Sequence, residues 1–348
     1  MGQGRALMKL NIKEMAKKAG VSVATISRAI NAQTRGKVAP DTLEKVDALI
    51  KKHGYTPNLS AKHLRQSSTR TIGVIFPYFR GIFHHSYYVE VLAGISDYLL
   101  GTDYQFKMLL LKEDKEQWDQ YDFKRGERVD GLIITHWPRF FSHKSVLEQI
   151  NIPSVIISDL RKDVKNFFVG GDQVSGGRQA AEHLYGLGHR RMAVLTGPAI
   201  SMDSRLRLRG FEHYLGMKGL SLDPQWIVGA DFLEDAAYNR VEKVLKDRKR
   251  PTAIFCLNDQ MAFGTLRKLS DLKIACPEEI SVVGYDDDPR GLLSVPALTT
   301  VRVPLYELAQ EGTRRLINHL KSPSAEKPLH GHVVFPVQLV QRKSTACQ

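Results

Sequence analysis

From Thr71 onward the chain alternates short apolar, β-branched runs with helical runs, and that rhythm limits the possible folds more than any other feature. TIGVIF, QFKMLLL, GLIIT and PSVIIS read as buried strands. VEVLAGISDYLL reads as the first helix between them, with Val91, Leu92, Ile95, Tyr98 and Leu99 on one face. After Asp172 the alternation restarts: helix GGRQAAEHLYGLG, strand RMAVLT, helix LRGFEHYLG, strand TAIFCL, helix MAFGTLRKL, strand ISVVGY. Strand–helix–strand repeats cover both faces of a parallel sheet, so the class is α/β. Two successive sets imply two lobes. Lobe one is expected over 71–170 plus 302–330, and lobe two over 171–301 plus 331–343.

Ligands of such sheets sit beyond the carboxyl ends of the strands, and in a two-lobed body both sets of ends face one cleft. The residues there are Phe76-Pro77-Tyr78, Thr135-His136-Trp137, Ser158-Asp159, Thr196-Gly197-Pro198, Asn258-Asp259 and Tyr285-Asp286-Asp287-Asp288. Arg205, Arg207 and Arg209 precede Gly210-Phe211. Taken singly, each has an ordinary structural role open to it: Asp286 as a loop cap, Arg207 as a surface cation, Trp137 as core. As a group they supply carboxylates, an amide, a guanidinium and aromatic faces, which is what a polyol requires. The run Asp286-Asp287-Asp288 also suggests Mg²⁺, although one acidic run on one loop is a weak metal signal.

Before this body stands a basic head. Residues 1–70 hold 14 Lys and Arg against 4 Asp and Glu, while the rest of the 348 residues holds 36 against 33. A cationic module on a nearly neutral body is the electrostatic footprint of nucleic-acid binding. Within residues 1–57, Asn11 caps a helix IKEMAKKA whose Ile12, Met15, Ala16 and Ala19 share a face, and Gly20 ends it. Ser22 then caps a second helix, Val23 to Ile30, and PDTLEKVDALIKKHG forms a third, with Leu43, Val46, Leu49 and Ile50 closing a small core. Two short helices across a tight glycine turn make a helix-turn-helix, whose second helix enters the major groove. Its outward residues are expected to be Val23, Ala24, Ser27 and Arg28. Arg28 has the fork that reads guanine, while Val23 and Ala24 suit thymine methyls. Thr25 and Asn31 are placed to hold phosphates.

Between head and body, residues 58–70 read as a hinge. Asn58 caps a short helix, Leu59 to Gln66, in which Leu64 stands among Lys62, His63 and Arg65. A helix this short is marginal alone, and a leucine wedge in a bent minor groove would order it. Packing of Leu64 on the body is the alternative.

Several function classes are excluded. No apolar run is long enough to span a membrane, and the opening residues lack a secretory signal, so a cytoplasmic location is expected. Cys256, Cys276 and Cys347 have neither disulfide-framework nor zinc spacing. There is no nucleophile elbow, phosphate-binding loop or dinucleotide fingerprint, so neither an enzyme nor a cofactor is expected. A secreted sugar-binding protein would fit the lobes but not the head.

The stretches AGVSVATISRAIN, YTPN with Leu64, DGLII, DQVSGGRQAAEHLYGLGHRRMAVLTGP, RLRLRGF, PTAIFCLNDQMAFG, ISVVGYDDD and PALTTVRVP resemble the lactose-repressor/galactose-repressor (LacI/GalR) family of bacterial transcription factors, over about residues 9–343. The resemblance implies a helix-turn-helix head, a hinge helix that folds in the minor groove, and a core like periplasmic sugar-binding proteins. It implies a homodimer on a palindromic DNA operator, with a small effector, a sugar or sugar derivative, setting operator affinity. By resemblance Ser22, Val23, Ala24, Thr25, Ser27, Arg28, Asn31 and Leu64 fall on DNA-contacting positions. Asp159, Arg207, Phe232, Asn258 and Asp286 fall on effector-contacting positions, and Tyr87 and Tyr88 on an aromatic pair lining the pocket. Two departures stand out. Gly170-Gly171 occupies a place where many members carry an aromatic, and Gln173 replaces the usual Asn. The ending LVQRKSTACQ has no heptad helix, so a dimer rather than a tetramer is expected.

Overall fold

A computed structural model describes residues 11–30, 34–53, 68–78, 81–111, 127–135, 150, 152–158, 166–246, 249–322 and 329–348. The chain divides into two compact units, Met1–Thr69 and Arg70–Gln348.

In the first unit, helix α1 (Ile12–Ala19) starts with a reciprocal cap. The Asn11 side chain accepts from the Glu14 backbone at 3.0 Å, and the Glu14 carboxylate accepts from the Asn11 N–H at 2.8 Å. Gly20 ends the helix at φ 67°, a left-handed conformation that an L side chain resists. The Ser22 hydroxyl accepts from the Thr25 N–H at 3.1 Å and so opens α2 (Val23–Ile30). Helix α3 (Pro40–His53) closes the unit. Met15, Ile26, Ala29 and Val46 are fully or almost fully buried, with Ile12, Val21, Leu43, Leu49 and Ile50 packed around them. Arg35 stitches the layers together: it donates to the Ala29 carbonyl at 2.9 Å and pairs with Asp47 on α3.

The second unit opens with β1 (Thr71–Pro77), α4 (Ser86–Leu100), β2 (Gln105–Leu111), β3 (Gly131–Ile134), β4 (Ser154–Ile157) and β5 (Phe167–Gly171). Next come α5 (Gln173–Gly186), β6 (Met192–Thr196), α6 (Met202–Met217), β7 (Ile227–Gly229), α7 (Glu234–Arg240) and α8 (Glu242–Leu245). Then follow β8 (Ala253–Cys256), α9 (Asp259–Asp271), β9 (Ser281–Asp286), β10 (Thr299–Arg302), α10 (Leu305–Lys321), β11 (Gly331–Phe335) and β12 (Gln338–Val340). They build two six-stranded sheets, ordered β2-β1-β3-β4-β5-β11 and β7-β6-β8-β9-β10-β12. Every pairing is parallel except β10 with β12. The central strands are buried on both faces, as parallel sheets between helices require.

The chain passes between lobes after β5, after β10, and again between β11 and β12. The last crossing corrects the boundary expected from the sequence. Residues 331–335 pair in parallel with β5, from Gly331 opposite Phe167 to Phe335 opposite Gly171, and therefore belong to lobe one rather than lobe two. Both sheets have an edge, and the pattern of a half-exposed edge strand does not say which one it joins. No helix among the described residues is long and apolar enough to cross a membrane.

Candidate functional site

The body's site is organised around Arg207 on α6, which is only 5% exposed. Helices α5 and α6 touch backbone to backbone: a Cβ at Gly177 would lie 1.9 Å from the Arg207 carbonyl, and one at Gly210 would lie 2.0 Å from that of Val174. Larger residues there would separate the helices and carry Arg207 away from Gln173. With glycine in place, Arg207 Nε donates to Gln173 Oε1 at 2.8 Å and Nη1 to the Leu257 carbonyl at 2.5 Å. Nη2 lies 3.4 Å from Asp286 Oδ1 and 3.9 Å from Asp203 Oδ2. The guanidinium sits 3.8 Å from the Tyr285 ring centroid and 5.8 Å from that of Phe232, an arrangement favoured by the ring quadrupoles. Protein groups thus engage this arginine at Nε, Nη1 and Nη2 and through the rings beside its plane.

Asp286 ends β9 with φ 106°, and Asp287 follows at φ 65°. The 3.4 Å approach of Arg207 is an ion pair without good hydrogen-bond geometry, so Asp286 Oδ1 is buried with no hydrogen-bond donor. Burial pushes the Asp286 carboxyl up, the Arg207 charge opposes it, and the result is about 6. Burial alone would lower Arg207, but the carboxylates of Asp286 and Asp203 keep it raised. Gln173 Nε2 and the Tyr285 hydroxyl are likewise buried without a partner. Unmet polar atoms gathered about one fixed cation are what a polar ligand would satisfy.

Other sequence-predicted residues have more specific places. Asn258 caps α9: its Oδ1 accepts from the Met261 N–H at 3.0 Å, and its Nδ2 donates to the Phe232 carbonyl at 3.1 Å. Asn258 therefore holds Phe232, whose φ is 62°, and whose ring fills the space left by Gly197, where a Cβ would lie 2.2 Å from Cζ. The Tyr87 hydroxyl donates to the Thr135 carbonyl at 2.8 Å. Burial pushes the Tyr87 phenol well above its ordinary value, a hydrogen bond with Ser158 opposes this, and the charges of Asp203 and Asp286 add to the rise. Tyr87 thus brings lobe one to the same polar cluster. Tyr88 is a core residue, its ring set edge-on against Phe76 and Tyr87 at 6.0 and 5.0 Å. Asp159, Trp137, Asn31 and Leu64 lie outside the described residues. Asp203 was missed, although its place one helical turn before Arg207 was a readable signal.

On α2 of the first unit, Ser22, Ala24, Ser27 and Arg28 are exposed and Thr25 is half-buried. Val23 departs from the expected outward position and packs on the small core with Ile26, three residues on. Residues three apart share a helix face, so the buried Ile26 draws Val23 inward. Among the described residues no group of acidic, His or Cys side chains is placed to hold a metal.

Comparison with known proteins matches residues 11–58 to the model of bacterial regulatory proteins of the lacI family, and residues 181–345 to a periplasmic binding protein-like domain. The chain is 32% identical to the HTH-type transcriptional repressor PurR of Aliivibrio fischeri (strain MJ11), over 91% of this chain and 93% of that one. It is 30% identical to the HTH-type transcriptional regulator DegA of Bacillus subtilis (strain 168), over 97% and 99%. Among solved structures, the lac repressor dimer bound to operator and the anti-inducer ONPF superposes with a TM-score of 0.82 at 26% identity, covering 97% of this chain and 99% of that one. The complex of the transcriptional regulator CelR with cellobiose has a TM-score of 0.73 at 26% identity, covering 96% and 99%.

Proposed function

The chain belongs to the lacI family of bacterial regulatory proteins, and on that premise we propose that it is an operator-binding repressor whose effector is a neutral polyhydroxyl compound, a sugar or sugar derivative, held in the cleft between its lobes. The observation that carries the effector class is Arg207, fixed between Asp203 and Asp286, with Asp286 Oδ1 lacking a donor. Vicinal hydroxyls supply donors to the carboxylates and acceptors to the guanidinium at once. A phosphorylated ligand would bring its charge against two carboxylates facing one cation. The half-buried Phe232 ring beside Arg207 offers a flat face to the apolar side of a sugar ring.

DNA binding is assigned to α2, with Arg28 as the base reader and Ser22, Ala24, Thr25 and Ser27 around it. Val23, on the core side, supports the helix rather than leading the readout. Leu292, Leu293 and Val295 are 62, 83 and 94% exposed on one turn of lobe two, an apolar patch suited to a second copy of the chain. A two-fold dimer presents two heads to a palindromic operator. The hinge role of Leu64 belongs to the same reading.

The test is a thermal-shift panel of hexoses, disaccharides, sugar phosphates and purine bases on the full-length protein. A ligand that binds only the folded state raises the transition by mass action. Neutral sugars are expected to stabilise the body and the phosphates are not. Stabilisation by purines alone would overturn the effector class while leaving the repressor assignment in place.

A further inference from the structure

The run Asp286-Asp287-Asp288 is not one acidic site. Its three carboxylates face three different partners. Asp286 meets Arg207 in the cleft. Asp287 is gripped by Arg302 at 2.6 Å and Arg342 at 2.5 Å, both in lobe two. Asp288 is 3% exposed, and its backbone N–H donates to Asp259 Oδ2 at 2.7 Å, while Asp259 Oδ1 accepts from the Thr300 hydroxyl at 2.7 Å. Arg290 donates to the Asp288 carboxylate through Nη2 at 2.9 Å. Lobe two therefore holds Asp288 from several sides.

One further donor to that carboxylate comes from the other lobe. Ser86, the first residue of α4 in lobe one, places its hydroxyl 2.8 Å from Asp288 Oδ2. The bond joins residues 202 positions apart, one in each lobe. The start of a helix carries partial positive charge, which favours a carboxylate there. Burial pushes the Asp288 carboxyl up, but hydrogen bonds from Arg290 and Ser86 bring it below its ordinary value, so the acceptor is charged at neutral pH.

We propose that the Ser86–Asp288 hydrogen bond is a latch that holds the two lobes together. Asp288 stands two residues from Asp286, and the left-handed φ of Asp286 and Asp287 together with the two arginines on Asp287 leave little slack between them. Closure of the lobes and contact at Asp286 are thus set by one short loop. The importance of the latch to regulation rests on the effector reading above; its existence does not.

The test needs no ligand. Val89→Cys on α4 and Leu272→Cys after α9 carry spin labels in a Cys276→Ser, Cys347→Ser full-length background, and the distance distribution across the cleft is measured by pulsed electron resonance. With labelled chains diluted in excess unlabelled protein, so that spin pairs within one chain dominate, the parent is expected to show one narrow distance. Ser86→Ala should lengthen or broaden it, and Ser86→Thr, which keeps the hydroxyl, should restore it. An unchanged distribution in Ser86→Ala overturns the latch, as does a Ser86→Thr distribution as broad as that of Ser86→Ala. Either result leaves the effector class to be decided by the thermal-shift panel.

Discussion

Arg28 in the head and Arg207 in the body are the same residue type in opposite settings. Arg28 is exposed on the last turn of a short helix, above a core built from a few side chains. Arg207 is buried, bonded to Gln173 and Leu257, paired with two carboxylates and stacked on Tyr285. The first leaves its donors facing solvent, as the proposed base reader requires. The second is equipped for its proposed ligand because its position is over-determined, so that binding costs little reordering. On the proposed reading, fold and function separate at the level of single side chains in the head, whereas in the body the candidate site is also part of the core.

The largest expected effect tests that difference directly. Arg207→Ala leaves Asp203 and Asp286 facing each other without their cation, and removing one partner from a buried ion cluster costs about 3–5 kcal/mol. Denaturant unfolding of the body should show a loss of that order. The exposed Arg28→Ala should shift stability by less than about 0.5 kcal/mol. Equal stability changes in the two variants would erase the distinction.

Asp286→Ala comes next. It removes an acceptor that lacks a donor of its own, so stability should suffer less than in Arg207→Ala. Affinity for a stabilising sugar from the panel should fall by about 2–4 kcal/mol in titration calorimetry. Operator affinity without sugar should be preserved. A normal sugar response in this variant would place the site elsewhere.

In the head, Arg28→Ala is expected to cost about 1–3 kcal/mol on operator DNA and little on random DNA, read by fluorescence anisotropy at fixed salt. Equal losses on both DNAs would make Arg28 a phosphate contact and weaken the contrast with Arg207.

The smallest effect is a pH dependence confined to the body. The folded value of Asp286 lies at about 6, above its ordinary 3.8, so the free site takes up a proton as pH falls through 6. Hydroxyl donors favour the ionised carboxylate. Sugar affinity should therefore be flat above pH 7 and weaken below pH 6, by at most about tenfold per unit, or about 1.4 kcal/mol. Affinity that rises on acidification would contradict Asp286 as an acceptor.

Much of the fold was readable from local chemistry. Asn11, Gly20 and Ser22 marked the ends of α1 and the start of α2 because caps and left-handed turns depend on a residue and its near neighbours. The two-set alternation announced two parallel sheets because burial on both faces leaves continuous apolar runs. Strand β5, FFVGG, was not read as a strand, since its two glycines imitate a turn when their neighbours in the sheet are unknown. Asp286 was singled out by its place beyond a strand, Arg207 by the arginine run before Gly210-Phe211, and Phe232 by family resemblance alone. Asp203 and Tyr285 lay in plain view beside them, without a sign that they share one guanidinium.

What local pattern could not contain is the choice among partners distant in the chain. Whether β11 adds to the edge of lobe one or lobe two depends on a register with β5 across more than 150 residues. Val23 is half-buried because the small core that holds Ile26, three residues on, lies against it. Three identical aspartates in a row differ only by what the folded chain brings to each: a buried arginine, two anchoring arginines, or a serine from the other lobe. Caps, turns and periodicity are set by interactions within a few residues and so are written in order along the chain. Charge pairing and burial are set by proximity in space, and a carboxylate's role is decided only when folding delivers its partner.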